Sequence, residues 1–188
     1  MNLKNFLRGV NFSLNANELN SLKKETKIFL DVLKGHVAKS KVDADVFLGG
    51  SFAKNTVARS EDYDADIFVR FDWKYENLSD DLEKILKGVV KELKLKMRRM
   101  HGSRDYFRIW KDKKLTFEVI PVTRIKRVRE ARNVTDLSYF HVNYVKKNLK
   151  GEMREQLALT KKFFKANGVY GAESYIHGFS GYGLGCLV

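Results

Sequence analysis

The stretch from Phe47 to Phe71, FLGGSFAKNTVARSEDYDADIFVRF, constrains what this chain can fold into more than any other. Runs rich in β-forming residues stand at both ends, VFL before Gly49 and IFVRF after Asp66, and a pair of glycines closes the first. The pattern predicts a strand, a Gly-Gly-Ser turn, a short helix and a second strand that opens on Asp64 and Asp66. Side chains two apart on a strand share a face, so the two carboxylates project together. Each raises the other's pKa unless a cation lies between them. Such a pair is costly for stability and well suited to Mg²⁺, which takes a few carboxylate oxygens and otherwise keeps water and substrate phosphates.

The turn upstream supplies the other half of a phosphate site. Glycines let backbone approach a ligand closely, and a helix opening at Ser51 would aim free N–H groups at an anion. The Ser51 hydroxyl and Lys54, one turn on, add a donor and a charge. Alone, Gly-Gly-Ser is more often a plain turn, and Glu61, Asp62, Asp64 and Asp66 alone could be a solvated acidic loop. The turn followed after a dozen residues by Asp-x-Asp entering an apolar strand is far more specific.

GGSFAKNT followed by DYDADIFV resembles the signature of the polymerase-β-type nucleotidyltransferases, and most closely that of the archaeal (class I) CCA-adding enzymes. These are tRNA nucleotidyltransferases that complete the tRNA 3′ end without a nucleic-acid template. The resemblance implies an α+β fold of the polymerase-β nucleotidyltransferase type: a mixed sheet with helices packed on it, followed by the start of a helical or mixed central domain. It places Gly50, Ser51 and Lys54 at the triphosphate and makes Asp64 and Asp66 ligands of two Mg²⁺ ions. The family usually has arginine where this chain has Lys54, and glutamate is common at Asp64. Both changes keep the charge, but a lysine cannot make a bidentate fork to phosphate.

With 188 residues, 44% of them hydrophobic, the chain can bury one well-packed domain, or one and part of another. The formal charge of +13 points to a polyanionic partner, nucleic acid before a membrane surface. Cys186 is the only cysteine, which excludes an intrachain disulfide and fits a reducing cytosol. No apolar run approaches a membrane span and the N-terminus lacks a signal-peptide core, so a soluble, cytoplasmic protein is expected.

Around the central stretch the periodicity predicts helices. Leu3 to Val10 is a short candidate. Asn15 to Lys39 is a strong amphipathic one, with Asn15 as cap, Glu18 completing a capping box, and Leu19, Leu22, Phe29, Val32, Leu33 and Val37 on one stripe. Ser79, Asp80 and Asp81 open another, which buries Leu82, Ile85, Leu86, Val89 and Leu93. Strands follow at Lys96 to His101, then a hairpin of Tyr106 to Trp110 with Leu115 to Val122. Thr116, Glu118 and Ile120 share one face of the last strand, opposite Phe117 and Val119. An acid inside an apolar strand is expensive without a partner, so a solvent-facing Glu118 would be the ordinary reading. The family has a third metal-binding carboxylate, usually aspartate, on such a strand, and the resemblance of LTFEVIPV makes Glu118 that catalytic ligand.

TRIKRVREAR, Thr123 to Arg132, carries five arginines and lysines; such a run is usually a solvated face, but beside a catalytic strand it could steer phosphates inward. Asp136 to His141 then resembles the family's Asp-Arg-Thr-Pro-Phe-His segment, which implies that Ser138 and His141 lie near the nucleotide's sugar and phosphates. Gly151 to Asn167 reads as a helix closed by Gly168, with Lys161 and Lys165 one turn apart. KKFFKANGVYGAE is similar to the family's helix and loop, whose lysine and tyrosine bind triphosphate; these are Lys161 and Tyr170 here. Their distance from Ser51 in sequence requires the C-terminal segment to fold back over the head. IHGFSGY matches a further family segment, with His177 where arginine is usual.

The resemblance implies residues 1–140 as catalytic head and 141–188 as the start of a central domain, with the family's body and tail domains absent. Phe179, Tyr182, Leu184, Leu187 and Val188 then offer apolar surface to the portion carrying those domains, which is either a separate chain or a part cut from this one. The implied activity is transfer of CMP and AMP from CTP and ATP to the 3′ end of tRNA. The alternatives are transfer to another acceptor, or a basic RNA-binding module that keeps the fold without turnover.

Overall fold

The computed structural model describes residues 14–172 and 176–188. The candidate helix at Leu3 to Val10 lies outside them. Helix α1, Ala16–Lys39, is capped by Asn15, whose side chain accepts the Asn17 N–H at 2.9 Å, and it buries Leu22, Phe29, Leu33 and Val37. The expected capping box does not form as read: Glu18 lies instead 3.5 Å from the Tyr63 hydroxyl, which donates to it. Strand β1 (Ala44–Leu48), helix α2 (Gly50–Lys54) and strand β2 (Tyr63–Phe71) follow, so the short helix opens one residue before Ser51.

Helix α3, Leu78–Leu93, begins before Ser79, with Asn77 at the cap position. The Ser79 hydroxyl donates to the Asp105 carbonyl rather than capping, while Asp80 and Asp81 still occupy the first turn, where acids complement the helix dipole. Strands β3 (Lys96–Met100), β4 (Tyr106–Trp110) and β5 (Leu115–Thr123) complete one five-stranded sheet in the order β1-β2-β5-β4-β3. Only β2 and β5 run parallel, so the sheet is mixed. Pro121 sits in the central β5 beyond the last paired residue of β4, and its carbonyl accepts from Arg104 at 3.1 Å. Its missing N–H therefore costs no ladder bond.

Helices α1 and α3 cover one face of the sheet. Phe29, Leu33, Leu82, Leu86 and Val89 pack there on Ile67, Val69, Phe107, Ile109, Phe117 and Val119, all but buried completely, and the Phe29 and Phe117 rings stack at 4.1 Å. After two 3-10 turns, Val128–Glu130 and Val134–Leu137, come helices α4 (Ser138–Asn148), α5 (Met153–Ala166) and α6 (Gly181–Leu187). The helix read as starting at Gly151 starts at Met153, and Gly168 takes the left-handed conformation (φ +68°) just past its end. Val145, Leu149, Leu157 and Leu184 form a second small core. Leu184 is thus an interior residue and not partner-facing surface, whereas Phe179 and Leu187 are exposed.

The basic run after β5 is not beside the carboxylates. Because Asp66 pairs with Glu118 and Phe71 with Thr123, the run begins five residues beyond the acids, about 16 Å along the strand. There Arg124 binds Asp43 at 2.7 Å and Asp72 at 3.1 Å, and Arg132 stacks on Trp73 at 3.4 Å. These cations close the far end of the sheet.

Candidate active site

The site is built where β1 hands the chain to β2. The Gly49 N–H donates to the Asp66 carbonyl at 2.8 Å, which ties the turn to the second strand. Gly50 adopts φ +55°, and a Cβ on it would collide with the Asp66 carboxylate. Both the left-handed backbone and the close approach demand glycine here. Helix α2 then sets Ser51 and Lys54 on the wall of a cleft of about 410 Å³, with Asp64, Asp66 and Glu118 on its floor.

The parallel register puts Glu118 directly opposite Asp66. Burial first, and the Glu118 charge second, push the Asp66 carboxyl up to about 6. The same two causes, in that order, raise Asp64. Glu118 has a partner on the other side: Arg108 of β4, its register neighbour, donates from Nε at 3.1 Å and through a second, shorter contact from Nη2. Two carboxylates with raised pKa values and hard oxygen donors fit a divalent cation, which would offset both the burial and the repulsion that raise them. Among the described residues no three acidic, histidine or cysteine side chains converge into a closed cage. An open carboxylate edge of this kind suits a cation that completes its shell with water and substrate phosphate.

The rest of the lining comes from more than a hundred residues later. Lys161 of α5 is buried, and its Nζ donates to the Thr56 Oγ1 at 3.2 Å. Burial, then the charge of Lys54, hold its ammonium down to about 8. Lys162, Lys165, Tyr170 and Gly181 line the same cleft, and a Cβ on Gly181 would stand 2.8 Å from the Tyr170 hydroxyl. The C-terminal segment therefore does fold back over the head. Lys54 is itself lowered by burial, against the pull of Asp66. A wall of partly desolvated cations facing a floor of partly desolvated carboxylates can hold a polyphosphate between them, with its negative charge toward the lysines.

Gly50, Ser51, Lys54, Asp64, Asp66, Glu118, Lys161 and Tyr170 are thus brought to one cleft, while Ser138 and His141 are not among its lining residues. His141 stacks on Tyr182, which does line it, at 3.8 Å, and burial ahead of the Lys54 charge lowers its pKa. Asp136, at the head of the same sequence segment, is a structural acid. It is buried, pairs with Arg104 at 2.6 Å, and accepts the Thr123, Arg132 and Asn133 N–H groups. Sequence reasoning missed Thr56 and Arg108. Thr56 carries no signal, but Arg108 stands at the alternating position between Tyr106 and Trp110, which marks the face opposite the core.

Comparison with known proteins agrees with this geometry. The family model for the nucleotidyltransferase domain matches residues 30–165, and that for the tRNA nucleotidyltransferase second domain matches residues 155–188. The CCA-adding enzyme of Nanoarchaeum equitans is 44% identical over 140 residues, covering 73% of this chain and 33% of that protein. That of Sulfurisphaera tokodaii is 34% identical over 162 residues, covering 86% and 37%. The chain spans about a third of the length of the curated relatives it matches. Among solved structures, the Cid1 poly(U) polymerase superposes with a TM-score of 0.64 at 16% identity over 93% of this chain and 49% of its own, and the non-canonical poly(A) polymerase GLD-2 in complex with GLD-3 with 0.64 at 14% over 93% and 52%. These likenesses carry the fold, a mixed sheet of the polymerase-β type. Proteins of this kind generally work with divalent metal ions, in keeping with the carboxylate floor. With the sheet, the cleft and the domain match in agreement, the chain belongs to the nucleotidyltransferase domain family, and the sequence relatives reported above are archaeal CCA-adding enzymes.

Proposed function

We propose that this chain is the catalytic portion of a tRNA nucleotidyltransferase that adds CMP and AMP, from CTP and ATP, to the 3′ end of tRNA. The observation that carries this reading is the closure of Lys161 and Tyr170 over Asp64, Asp66 and Glu118, because it forms one cleft with an acidic floor and a cationic wall. Asp64 and Asp66, with Glu118, would hold two Mg²⁺ ions. When bound, such ions lower the pKa of the attacking hydroxyl and neutralise the charge of the leaving pyrophosphate.

The chain's own residues divide the remaining work. Lys54, Lys161 and Tyr170 bind the outer phosphates and Ser51 donates to them, so the α-phosphorus comes to rest over the carboxylates. The 3′-hydroxyl of the acceptor gives up its proton to solvent, its oxygen forms a new bond to that phosphorus, the bond to the bridging oxygen breaks, and pyrophosphate leaves with the electron pair. Arg108 holds the Glu118 carboxylate in place, in the row next to Asp66. The match of the second-domain model from residue 155 and the separate core around Leu157 support reading 1–140 as head and 141–188 as the start of a central domain, with α4 spanning the junction.

The remaining two thirds of the relatives' length, carried by this protein or by a separate chain, would grip the tRNA. Alone, this chain binds nucleotide but positions the acceptor poorly, and lost positioning costs several kcal/mol of barrier. Cytosolic residence is consistent with the absence, among the described residues, of any helix able to cross a membrane. The test offers labelled CTP and ATP with Mg²⁺ and tRNA lacking its terminal CCA, beside other RNA acceptors. Slow extension of that tRNA, accelerated by the missing domains, is expected. Preference for another acceptor would displace the tRNA assignment, and no nucleotide consumption with any acceptor would leave only a binding module.

A further inference from the structure

Only one face of the sheet is covered by α1 and α3. On the other, the strand register lays out rows that cross the sheet from acid to base. One row runs Asp66, Glu118, Arg108, Arg98; the next runs Asp64, Thr116, Trp110, Lys96. With strands about 4.8 Å apart, Arg98 and Lys96 stand about 14 Å from the Asp66 and Asp64 strand. Lys96, Arg98 and Trp110 are exposed, Trp110 by 39%. The contrast within β3 is informative. Arg99, on the covered face, is held by Asp80, Glu83 and Asp105, whereas its neighbour Arg98 meets no carboxylate among the described residues. One arginine is part of the fold and the other is presented on a bare strand face beside an exposed indole.

The two sides of the carboxylate floor also differ. Lys54 follows β1, so it lies on the β1 side of β2, while Arg108, Arg98 and Trp110 lie on the β5 side. In phosphoryl transfer the attacking and leaving oxygens sit roughly in line on opposite sides of the phosphorus. If the leaving phosphates face Lys54 and Lys161, the acceptor must arrive from the side of β4 and β3. Unpaired nucleic acid is held by cations along its backbone and aromatic rings under its bases, whereas the bases of a duplex are already stacked.

We propose that Lys96, Arg98 and Trp110 form the seat for the single-stranded 3′ segment of the RNA acceptor. Trp110 stacks on a base just upstream of the reacting nucleotide, and Arg98 and Lys96 take the following phosphates. The assignment rests on the transfer reading above for its direction, but its test does not use turnover. In a Trp73→Phe background Trp110 is the one indole left, and its fluorescence is followed while a short unpaired oligoadenylate is added at low salt. Quenching is expected. Lys96→Ala with Arg98→Ala should weaken RNA binding about tenfold and flatten the salt dependence by about 1.4, the contribution of two phosphate contacts to a single strand. Trp110→Ala should weaken it about tenfold with the salt slope retained.

ATP affinity, measured separately with Mg²⁺, should be the same in all of these variants, with unchanged melting curves showing that they fold. Labelled RNA that binds without quenching Trp110, binding unaltered by the double substitution, or equal affinity for a duplex of the same length would each overturn the seat. Failure of the parent chain to bind ATP would instead strike the transfer reading, so the two failures appear with different ligands.

Discussion

Replacing Asp66 by asparagine keeps the side chain's shape and removes its charge, which makes it the sharpest probe of the carboxylate floor. Burial and the facing Glu118 carry the Asp66 carboxyl from an ordinary 3.8 to about 6. The sign follows from linkage: the folded chain holds that proton more tightly than the unfolded chain, so the group favours folding at low pH. That contribution is lost as pH rises through about 6. Above this point the ionised Asp66 costs the folded state about 3 kcal/mol, from 1.36 kcal/mol for each pKa unit. Asparagine carries no such cost, although Lys54 loses an attractive neighbour and returns part of the gain. Thermal melts in chelator at about pH 7.5 should therefore show Asp66→Asn more stable by about 1–3 kcal/mol, a rise of roughly 2–12 °C for a domain of this size. The difference should shrink toward zero as pH falls to about 4. Added Mg²⁺ should raise the melting temperature of the parent and not of the variant, and nucleotide transfer by the variant should fall by orders of magnitude. A variant less stable than the parent in chelator at neutral pH, or a difference that does not change with pH, would refute the reasoning.

Gly50→Ala should destabilise the chain by about 1–3 kcal/mol from backbone strain alone and displace the Asp66 carboxylate, so a lowered melting point and lost metal-dependent nucleotide binding are expected together. Asp136→Ala leaves Arg104 without its carboxylate partner and three N–H groups without an acceptor; denaturant melts should show a loss of about 3–5 kcal/mol. Lys161→Met should weaken binding of nucleoside triphosphate much more than of monophosphate, seen by calorimetry. Because burial and Lys54 hold the Lys161 ammonium down to about 8, triphosphate affinity in the parent should fall as pH rises through that value, and this fall should be absent from the variant.

Much of the fold was legible because its signals are local. The alternation in Tyr63–Phe71 and Leu115–Thr123 set both strands and the faces of Asp64, Asp66 and Glu118, and the periodic leucines of α1 and α3 set the covering layer. Terminal positions were less legible. Ser79 has a capping chemistry but spends its hydroxyl on the Asp105 carbonyl, a contact made across 26 residues that no local pattern contains. The reading of TRIKRVREAR as a phosphate guide failed for a related reason. Proximity in sequence to Glu118 became distance in space, because an extended strand separates its ends by about 3.3 Å per residue, and Asp43 and Asp72 were waiting at the far end. Leu184 looked like a surface residue only because its partners Val145 and Leu157 come from other helices. Thr56, which meets Lys161, belongs to the same class of contact.

The proposed site has Asp64, Asp66 and Glu118 holding metal while Lys54, Lys161 and Tyr170 hold the outer phosphates of one nucleotide. Titration of ATP into the chain by calorimetry, once with Mg²⁺ and once in chelator, tests that most directly when repeated on Asp66→Asn. Affinity should be at least about tenfold higher with Mg²⁺ in the parent, and the metal should make no difference in the variant. The same affinity for ATP in chelator as in Mg²⁺, or a metal effect that survives in Asp66→Asn, would contradict it.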